Sequence, residues 1–219
     1  MNKEVLLHLI PQQGMLPLYF NKDTQTSIEL LKTLYSAGIR TVEYTNRGEA
    51  ALANFIAMKK VCETELKDMY LGVGTIKNGA MAQTFIDAGC DYIICPGLVE
   101  SVAAVADANN MLWVPGCMTP SEIIAAENLG AKIIKLFPGN IIGMAFMSAV
   151  KELFPGLLFM PTGGVDTSKE NIEGWFKAGV CAVGMGSKLV SKEVMANKQY
   201  KVLIEETKKV MAIIKDCKQ

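Results

Sequence analysis

Hydrophobic and polar positions alternate along the chain in two periods, from about residue 15 to the C-terminus. Short apolar runs are followed by stretches in which apolar residues recur every three or four positions. The first pattern is typical of buried β-strands and the second of amphipathic helices, so their alternation predicts βα units around a parallel sheet. The pattern predicts eight strands, over residues 15–20, 41–45, 70–75, 92–96, 112–116, 132–138, 157–162 and 181–186.

Glycines that end predicted helices indicate a closed barrel instead of an open sheet. Gly38, Gly89, Gly130 and Gly179 are separated by 51, 41 and 49 residues, and each interval holds two strands and two helices. Glycine is the favoured residue just after a helix, so the spacing marks every second unit of an eightfold array. We predict the fold class α/β, a (β/α)8 TIM barrel, as a single domain over residues 1–219.

Two further segments have expected places in this barrel. Residues 1–12 predict a short helix across the N-terminal end of the barrel. Thr119–Glu122 matches a capping box with proline at the first helical position, so a helix follows the fifth strand directly.

Composition and charge exclude several classes of protein. Half of the 219 residues are hydrophobic and 20% are charged, which is typical of a globular protein with a large core. The 22 basic residues balance 22 acidic ones, so no net field attracts nucleic acid or membrane, and small molecules are the expected partners. No apolar run approaches the ~20 residues of a membrane span. The six cysteines include no CxxC pair and predict free thiols in a reducing cytoplasm.

Two ionisable residues, Lys135 and Glu43, interrupt the predicted strands. Barrel strands are covered on both faces, so a charge in mid-strand is costly unless it is paired or used. Period-two alternation predicts that both side chains point inward, near the strand ends where barrel active sites lie. Burial favours the free amine that attacks a carbonyl, and a carboxylate can then move protons. A structural ion pair, or an outward-facing side chain, is the alternative that spacing alone leaves open.

Other strand ends carry candidates for holding a substrate. Arg47 follows the second strand, where a guanidinium binds a carboxylate or simply opens the next helix at the surface. Thr75 ends a glycine-rich strand whose backbone can approach a ligand, although a tight turn gives the same pattern. Glycines at 163–164 and 184–186 follow the seventh and eighth strands, where barrel enzymes bind phosphate through backbone N–H groups.

Metal and cofactor sites have no matching motif. His8 is the only histidine and lies in the N-terminal segment, and the cysteines are scattered, so no zinc-like set is formed. No GxGxxG follows a strand, which argues against a Rossmann cofactor. The residues therefore indicate neither a zinc site nor a Rossmann cofactor.

Taken in order, these motifs resemble the bacterial KDPG/4-hydroxy-2-oxoglutarate aldolases from about residue 15 to 190. Each motif alone is ordinary, whereas their order and spacing together are specific. The motifs are EYTNR at 43–47, GVGT at 72–75, CPG at 95–97, VPG at 114–116 with TPSE at 119–122, KLFP at 135–138, PTGG at 161–164 and GMGS at 184–187.

The resemblance implies a class I lyase that needs no metal or organic cofactor. Its substrate is 2-dehydro-3-deoxy-6-phosphogluconate, 4-hydroxy-2-oxoglutarate or both, and its products are pyruvate and either glyceraldehyde 3-phosphate or glyoxylate. The resemblance further implies a cytoplasmic homotrimer in carbohydrate metabolism of the Entner–Doudoroff type.

It also implies a role for each matching residue. Lys135 forms the Schiff base and Glu43 transfers protons, while Arg47 and Thr75 bind the pyruvate carboxylate. The residues that pack around the imine or bind a distal phosphate are Phe137, Pro96, Gly163, Gly164 and Ser187. The chain departs from the family around the distal end, where Lys188 stands in place of the tryptophan of some members and the first strand lacks the arginine of many.

Three other hypotheses fit the residues less fully. The first is a phosphosugar isomerase or decarboxylase in which Lys135 and Glu43 act only as acid and base. The second is another 2-oxo acid aldolase, such as the 6-phosphogalactonate enzyme. The third is a barrel that senses a phosphorylated ligand without turnover, for which a buried lysine is unnecessary.

Overall fold

Strands and helices alternate in the predicted order in the computed structural model, which describes residues 3–218. The strands are β1 Met15–Tyr19, β2 Thr41–Thr45, β3 Tyr70–Gly74, β4 Tyr92–Ile94, β5 Leu112–Val114, β6 Gly116–Cys117, β7 Ile133–Leu136, β8 Leu158–Pro161 and β9 Val183–Met185. The helices are α1 Lys3–Gln13, α2 Thr24–Ser36, α3 Ala51–Thr64, α4 Gly79–Asp87, α5 Glu100–Ala108, α6 Pro120–Asn128, α7 Gly139–Val150, α8 Lys169–Ala178, α9 Lys192–Ala196 and α10 Tyr200–Cys217, with a 3₁₀ turn at Lys151–Leu153.

The strands close into a parallel barrel. Six strands form one run in the order β5-β4-β3-β2-β1-β9, and three form another in the order β6-β7-β8. The chain itself joins β5 to β6, and a parallel bridge between Thr162 and Gly184 joins β8 to β9. The backbone N–H of Cys181 also donates to the Phe159 carbonyl across that second junction, at 2.9 Å. The prediction of a (β/α)8 barrel with a short N-terminal helix is confirmed.

The fifth predicted strand is the main local difference between sequence and structure. The pattern predicted one continuous strand over residues 112–116, but the chain pairs with β4 before Pro115 and with β7 after it. Proline has no N–H to continue a ladder, although its carbonyl still accepts from the backbone of Lys135 at 2.9 Å. Gly116 then lies against the Pro96 carbonyl, where a Cβ atom has no room. The prediction of an unbroken strand is therefore wrong.

Helix α1 covers the N-terminal end of the barrel, as predicted. Its Leu6 and Ile10 are completely buried and pack with inward-facing residues of the strands, among them Leu16, Tyr92 and Met160. A layer of hydrophobic side chains thus fills the N-terminal end of the barrel. This leaves the opposite end, where the strands finish, as the place for an active site.

The predicted helix ends also agree with the structure. The four helix-ending glycines have φ values of 84° to 105°, in the left-handed region that glycine adopts at little cost. Thr119 and Glu122 form both hydrogen bonds of the capping box that starts α6. No helix within residues 3–218 has the length and apolar character needed to cross a bilayer.

Candidate active site

Lys135 and Glu43 meet inside the barrel, as their strand phase predicted. Lys135 on β7 is 5% exposed and Glu43 on β2 is 0% exposed. Their charged groups approach to 3.5 Å between Nζ and Oε1. Neither carboxylate oxygen of Glu43 has a hydrogen-bond partner within the described residues, which is a costly arrangement for a buried carboxylate. The pair therefore keeps hydrogen-bonding capacity that a bound ligand can use.

Two glycines of β3 make room for inward-facing side chains. A Cβ atom on Gly74 would overlap the Glu43 carboxylate, and one on Gly72 would overlap the ring of Tyr92. The Tyr92 hydroxyl in turn accepts a hydrogen bond from Thr41 Oγ1 at 2.8 Å, one layer below Glu43. The sequence associated these glycines with a ligand, whereas the structure shows that they first accommodate Glu43 and Tyr92.

We expect Gly74→Ala to lower kcat by about 10- to 100-fold, because the added methyl group must displace the Glu43 carboxylate and small displacements of reacting groups are costly. Steady-state kinetics with a 4-hydroxy-2-oxo acid measures the loss. Gly156→Ala is the matched control, since Gly156 is exposed and nothing lies within 4 Å of the added carbon. An active Gly74→Ala enzyme would show that the position of Glu43 does not matter.

Phe137 connects the buried pair to a cavity of about 320 Å³. Its ring centroid lies 5.3 Å from Lys135 Nζ, and the same side chain lines the cavity. Four more of the predicted site residues line this cavity, namely Arg47, Gly163, Gly164 and Ser187. The structure thus places the predicted imine group beside an aromatic ring that lines one cavity together with the predicted phosphate loops.

Thr75 and Pro96 are placed differently. Both are half-buried, and neither is among the described residues that line the cavity. Thr75 directly follows β3 with φ of 64°, a left-handed conformation that residues other than glycine rarely adopt. It is adjacent in the chain to Gly74, which contacts Glu43. The structure therefore places Thr75 near the Lys135–Glu43 pair and leaves its predicted contact with a carboxylate untested.

The glycines in the loop after β8 are required by the backbone conformation, in addition to letting a ligand approach the backbone. Gly163 and Gly164 have φ of 90° and 74°, and a Cβ atom on Gly164 would collide with Asn140 at the start of α7. The backbone N–H of Gly139 donates to the Thr162 carbonyl at 2.8 Å. This contact holds the loop against α7 and shapes one wall of the cavity.

Some residues that line the cavity were not predicted from the sequence. Thr162 belongs to the PTGG motif but was not proposed as a site residue, and Phe20 and Lys192 were not proposed either. The strand phase of Thr162 was an available signal. Lys192 offered none, because its approach depends on how the chain turns after β9.

The cysteines near the site are poor nucleophiles. Burial raises the pKa of the Cys95 thiol to about 11, although a hydrogen bond from Trp113 Nε1, at 3.3 Å from Sγ, acts in the opposite direction. Burial also raises the pKa of the Cys117 thiol to about 12. Both thiols are protonated near neutral pH, and a thiol is far less nucleophilic than a thiolate. The Lys135 amine is the remaining candidate nucleophile of this region.

Metal ligands do not converge anywhere in the described part of the chain, where no three His, Cys, Asp or Glu side chains form a group. His8 is exposed on α1, at the end of the barrel opposite to the Lys135–Glu43 pair, and bonds to the Glu4 carbonyl at 2.8 Å.

Comparison with known proteins agrees with this geometry. The family model of KDPG and KHG aldolases matches residues 8–205. The chain is 30% identical over 155 residues to a 2-dehydro-3-deoxy-phosphogluconate aldolase of Pseudoalteromonas atlantica, which covers 70% of both proteins. It is 29% identical over 152 residues to a KHG/KDPG aldolase of Escherichia coli, covering 69% of this chain and 70% of that protein.

A solved structure extends the likeness to the whole fold. The KDPG aldolase of Legionella pneumophila, with pyruvate captured as a covalent carbinolamine intermediate, has a TM-score of 0.85 to this chain. The two are 24% identical, and the match covers 93% of this chain and 97% of that one.

The fold and the buried lysine–carboxylate pair define a (β/α)8-barrel enzyme equipped for chemistry on a carbonyl group. The chain belongs to the KDPG and KHG aldolase family, and it is therefore a lyase. Family membership favours aldol cleavage over the isomerase, decarboxylase and sensor hypotheses.

Proposed function

We propose that this protein cleaves a 4-hydroxy-2-oxo acid to pyruvate and an aldehyde through an imine on Lys135. The candidate substrates are 2-dehydro-3-deoxy-6-phosphogluconate and 4-hydroxy-2-oxoglutarate, which the names of its relatives specify. The observation that carries the proposal is the buried amine of Lys135, 3.5 Å from a carboxylate that has no hydrogen-bond partner within residues 3–218. If the ion pair only stabilised the barrel, the carboxylate oxygens of Glu43 would be expected to accept hydrogen bonds from the protein.

The proposed reaction uses these two groups in sequence. The Lys135 amine adds to the C2 carbonyl, and the carbinolamine loses water to give a protonated imine. Glu43 accepts the proton of the C4 hydroxyl as the C3–C4 bond breaks, and the electron pair of that bond moves into the imine to form an enamine. The aldehyde leaves, Glu43 returns a proton to C3, and water releases pyruvate from Lys135.

The remaining residues hold the substrate in this proposal. Arg47 is exposed in the cavity, and no carboxylate of the described residues pairs with it, so its guanidinium is free to bind the C1 carboxylate together with the Thr75 hydroxyl. Phe137 and Pro96 pack around the imine. The distal end of the substrate lies among Gly163, Gly164 and Ser187, with backbone N–H groups as donors.

Borohydride trapping tests the proposal directly. Reduction of the enzyme in the presence of pyruvate converts the imine to a stable secondary amine, and we expect mass spectrometry of peptides to find this adduct on Lys135. Enzyme treated without pyruvate is the control. An adduct on another lysine, or none, contradicts the proposed mechanism.

Substrate preference is tested by a panel of 2-oxo-4-hydroxy acids. It should include the two candidates and the 6-phosphogalactonate stereoisomer, because members of one fold differ in the aldehyde part they accept. Comparison of kcat/KM values identifies the preferred aldehyde.

We infer further that the protein is a cytoplasmic homotrimer that acts in carbohydrate metabolism of the Entner–Doudoroff type. Ile141 and Leu153 support self-association, because these large apolar side chains are 65% and 66% exposed in the single chain. The free cysteines suit a reducing compartment. Light scattering after size exclusion measures the oligomer, and a monomer at micromolar concentration contradicts the trimer.

A further inference from the structure

Positive side chains line the cavity beyond Phe137, and no carboxylate belongs to its lining. The charged residues among those described there are Arg47, which binds the C1 carboxylate in the proposed mechanism, and Lys188 and Lys192, which that mechanism leaves unused. All three are exposed, and none of them takes part in an ion pair found within residues 3–218. Low-dielectric walls and charges of one sign focus the field on a ligand of opposite charge. The cavity is therefore suited to an anionic group.

Asp166 is the acidic group whose titration responds to Lys188. Hydrogen bonds from Ser168 hold the pKa of the Asp166 carboxyl below its usual value, and the positive charge of Lys188 lowers it further. Asp166 is not part of the described cavity lining and is already engaged by the Ser168 backbone at 2.8 Å. Its negative charge weakens the field of Lys188, but its carboxylate does not occupy the space in which a ligand would bind.

Thr162 provides an independent indication that a polar ligand enters this cavity. Thr162 is 5% exposed and lines the cavity, yet its hydroxyl has no hydrogen-bond partner among the described residues. Gly184 lies so close that a Cβ atom there would overlap Thr162 Oγ1. A buried hydroxyl without a partner is unfavourable unless a ligand or water satisfies it.

We propose that Lys188 and Lys192 are specificity-determining residues that select a phosphate monoester at the far end of the substrate over a carboxylate or a neutral hydroxyl. This inference rests on the proposed aldol cleavage. A phosphate monoester carries about −1.5 to −2 charges at pH 7 and a carboxylate only one, so two ammonium groups favour the phosphate. The backbone loops at 163–164 and 186–187 supply neutral donors and discriminate less by charge.

Matched substrates and matched variants test this proposal. The substrates are 2-dehydro-3-deoxy-6-phosphogluconate and its unphosphorylated counterpart, with 4-hydroxy-2-oxoglutarate as the carboxylate arm. The variants are Lys188→Met, Lys192→Met and the double variant, with Lys188→Arg as the conservative replacement. Lys208→Met is the control, because Lys208 is exposed on α10 and does not line the cavity.

We expect each Lys→Met change to lower kcat/KM for the phosphorylated substrate about tenfold, the order that loss of one charge-assisted hydrogen bond produces. The effect should lie in KM, should weaken in high salt, and should be largely restored in Lys188→Arg. Turnover of the unphosphorylated substrate should change less than about twofold.

Two outcomes separate this inference from the proposed function. If pyruvate is trapped on Lys135 in every variant but the preference for the phosphorylated substrate is unchanged, the two lysines do not determine specificity. An equal loss for all three substrates also overturns the inference, because it indicates a structural effect. Failure of trapping in the unmodified enzyme would instead contradict the imine mechanism itself.

Discussion

Lys135→Met is expected to lower kcat for aldol cleavage by on the order of 10⁴- to 10⁶-fold, because removal of the nucleophile of a covalent mechanism can cost up to about 10⁶ in kcat. The methionine side chain has a similar length and fills the same space in the barrel, but it cannot form an imine. Borohydride with pyruvate should then leave the variant unmodified. Steady-state kinetics and intact-protein mass spectrometry check the two expectations separately.

The same substitution also affects stability and needs a second variant as its control. Removing Lys135 leaves Glu43 buried without its ion-pair partner, and breaking such a pair costs about 3–5 kcal/mol. Lys135→Met/Glu43→Gln removes both charges and should recover much of that loss in a denaturant titration. If the double variant is stable but inactive, the pair is required for chemistry. If instead it retains activity, the pair is only a structural plug of the barrel.

Glu43→Gln is expected to lower kcat by about 10²- to 10⁴-fold, because glutamine keeps the shape of the side chain but cannot accept or return a proton. KM should change little, since the Lys135 amine and Arg47 remain in place. The retained shape also preserves the contact with Gly74. Any large loss of activity therefore reports on proton transfer.

Exchange of the methyl protons of pyruvate distinguishes a role of Glu43 in proton transfer from a purely structural role. The enamine exchanges the methyl protons of pyruvate with deuterium from D₂O, and nuclear magnetic resonance follows this exchange without cleavage of a substrate. We expect Glu43→Gln to slow the exchange in proportion to kcat, while borohydride still traps pyruvate on Lys135. Exchange at the rate of the unmodified enzyme would assign proton transfer to another group.

The predicted barrel followed from local patterns, and the reasons are visible in particular residues. Helix-ending glycines such as Gly38 and Gly179 have the left-handed φ values that their positions require. Alternation predicted an inward phase for Lys135 and Glu43, since alternate strand residues share a face, and their burial in the barrel rules out the outward-facing alternative. The break at Pro115 was less apparent, because the apolar run continues through it and only the change of pairing partner reveals it.

The residues of the candidate site also fall into those that the sequence predicted and those that only the structure revealed. Five of the nine predicted residues line one cavity and two more, Lys135 and Glu43, form the buried pair beside it, whereas Thr75 and Pro96 lie outside the cavity lining. Thr162 and Lys192 join the site through contacts between segments that are distant in the chain. A single sequence carries no record of such contacts unless strand phase or a known motif implies them.

From strand period and glycine position, which are local properties, the sequence alone predicted a (β/α)8 barrel with a lysine and a glutamate on inward faces of its strands. It also placed Lys135 and Glu43 near each other by phase, but not at 3.5 Å with the carboxylate oxygens unused. Two relations became visible only in the three-dimensional structure: Gly74 makes room for Glu43, and Lys188 and Lys192 share a cavity. The first relation depends on the pairing of β2 with β3. The second depends on the closure of the barrel, which brings Arg47 and Lys188 to one cavity although the chain separates them by more than a hundred residues.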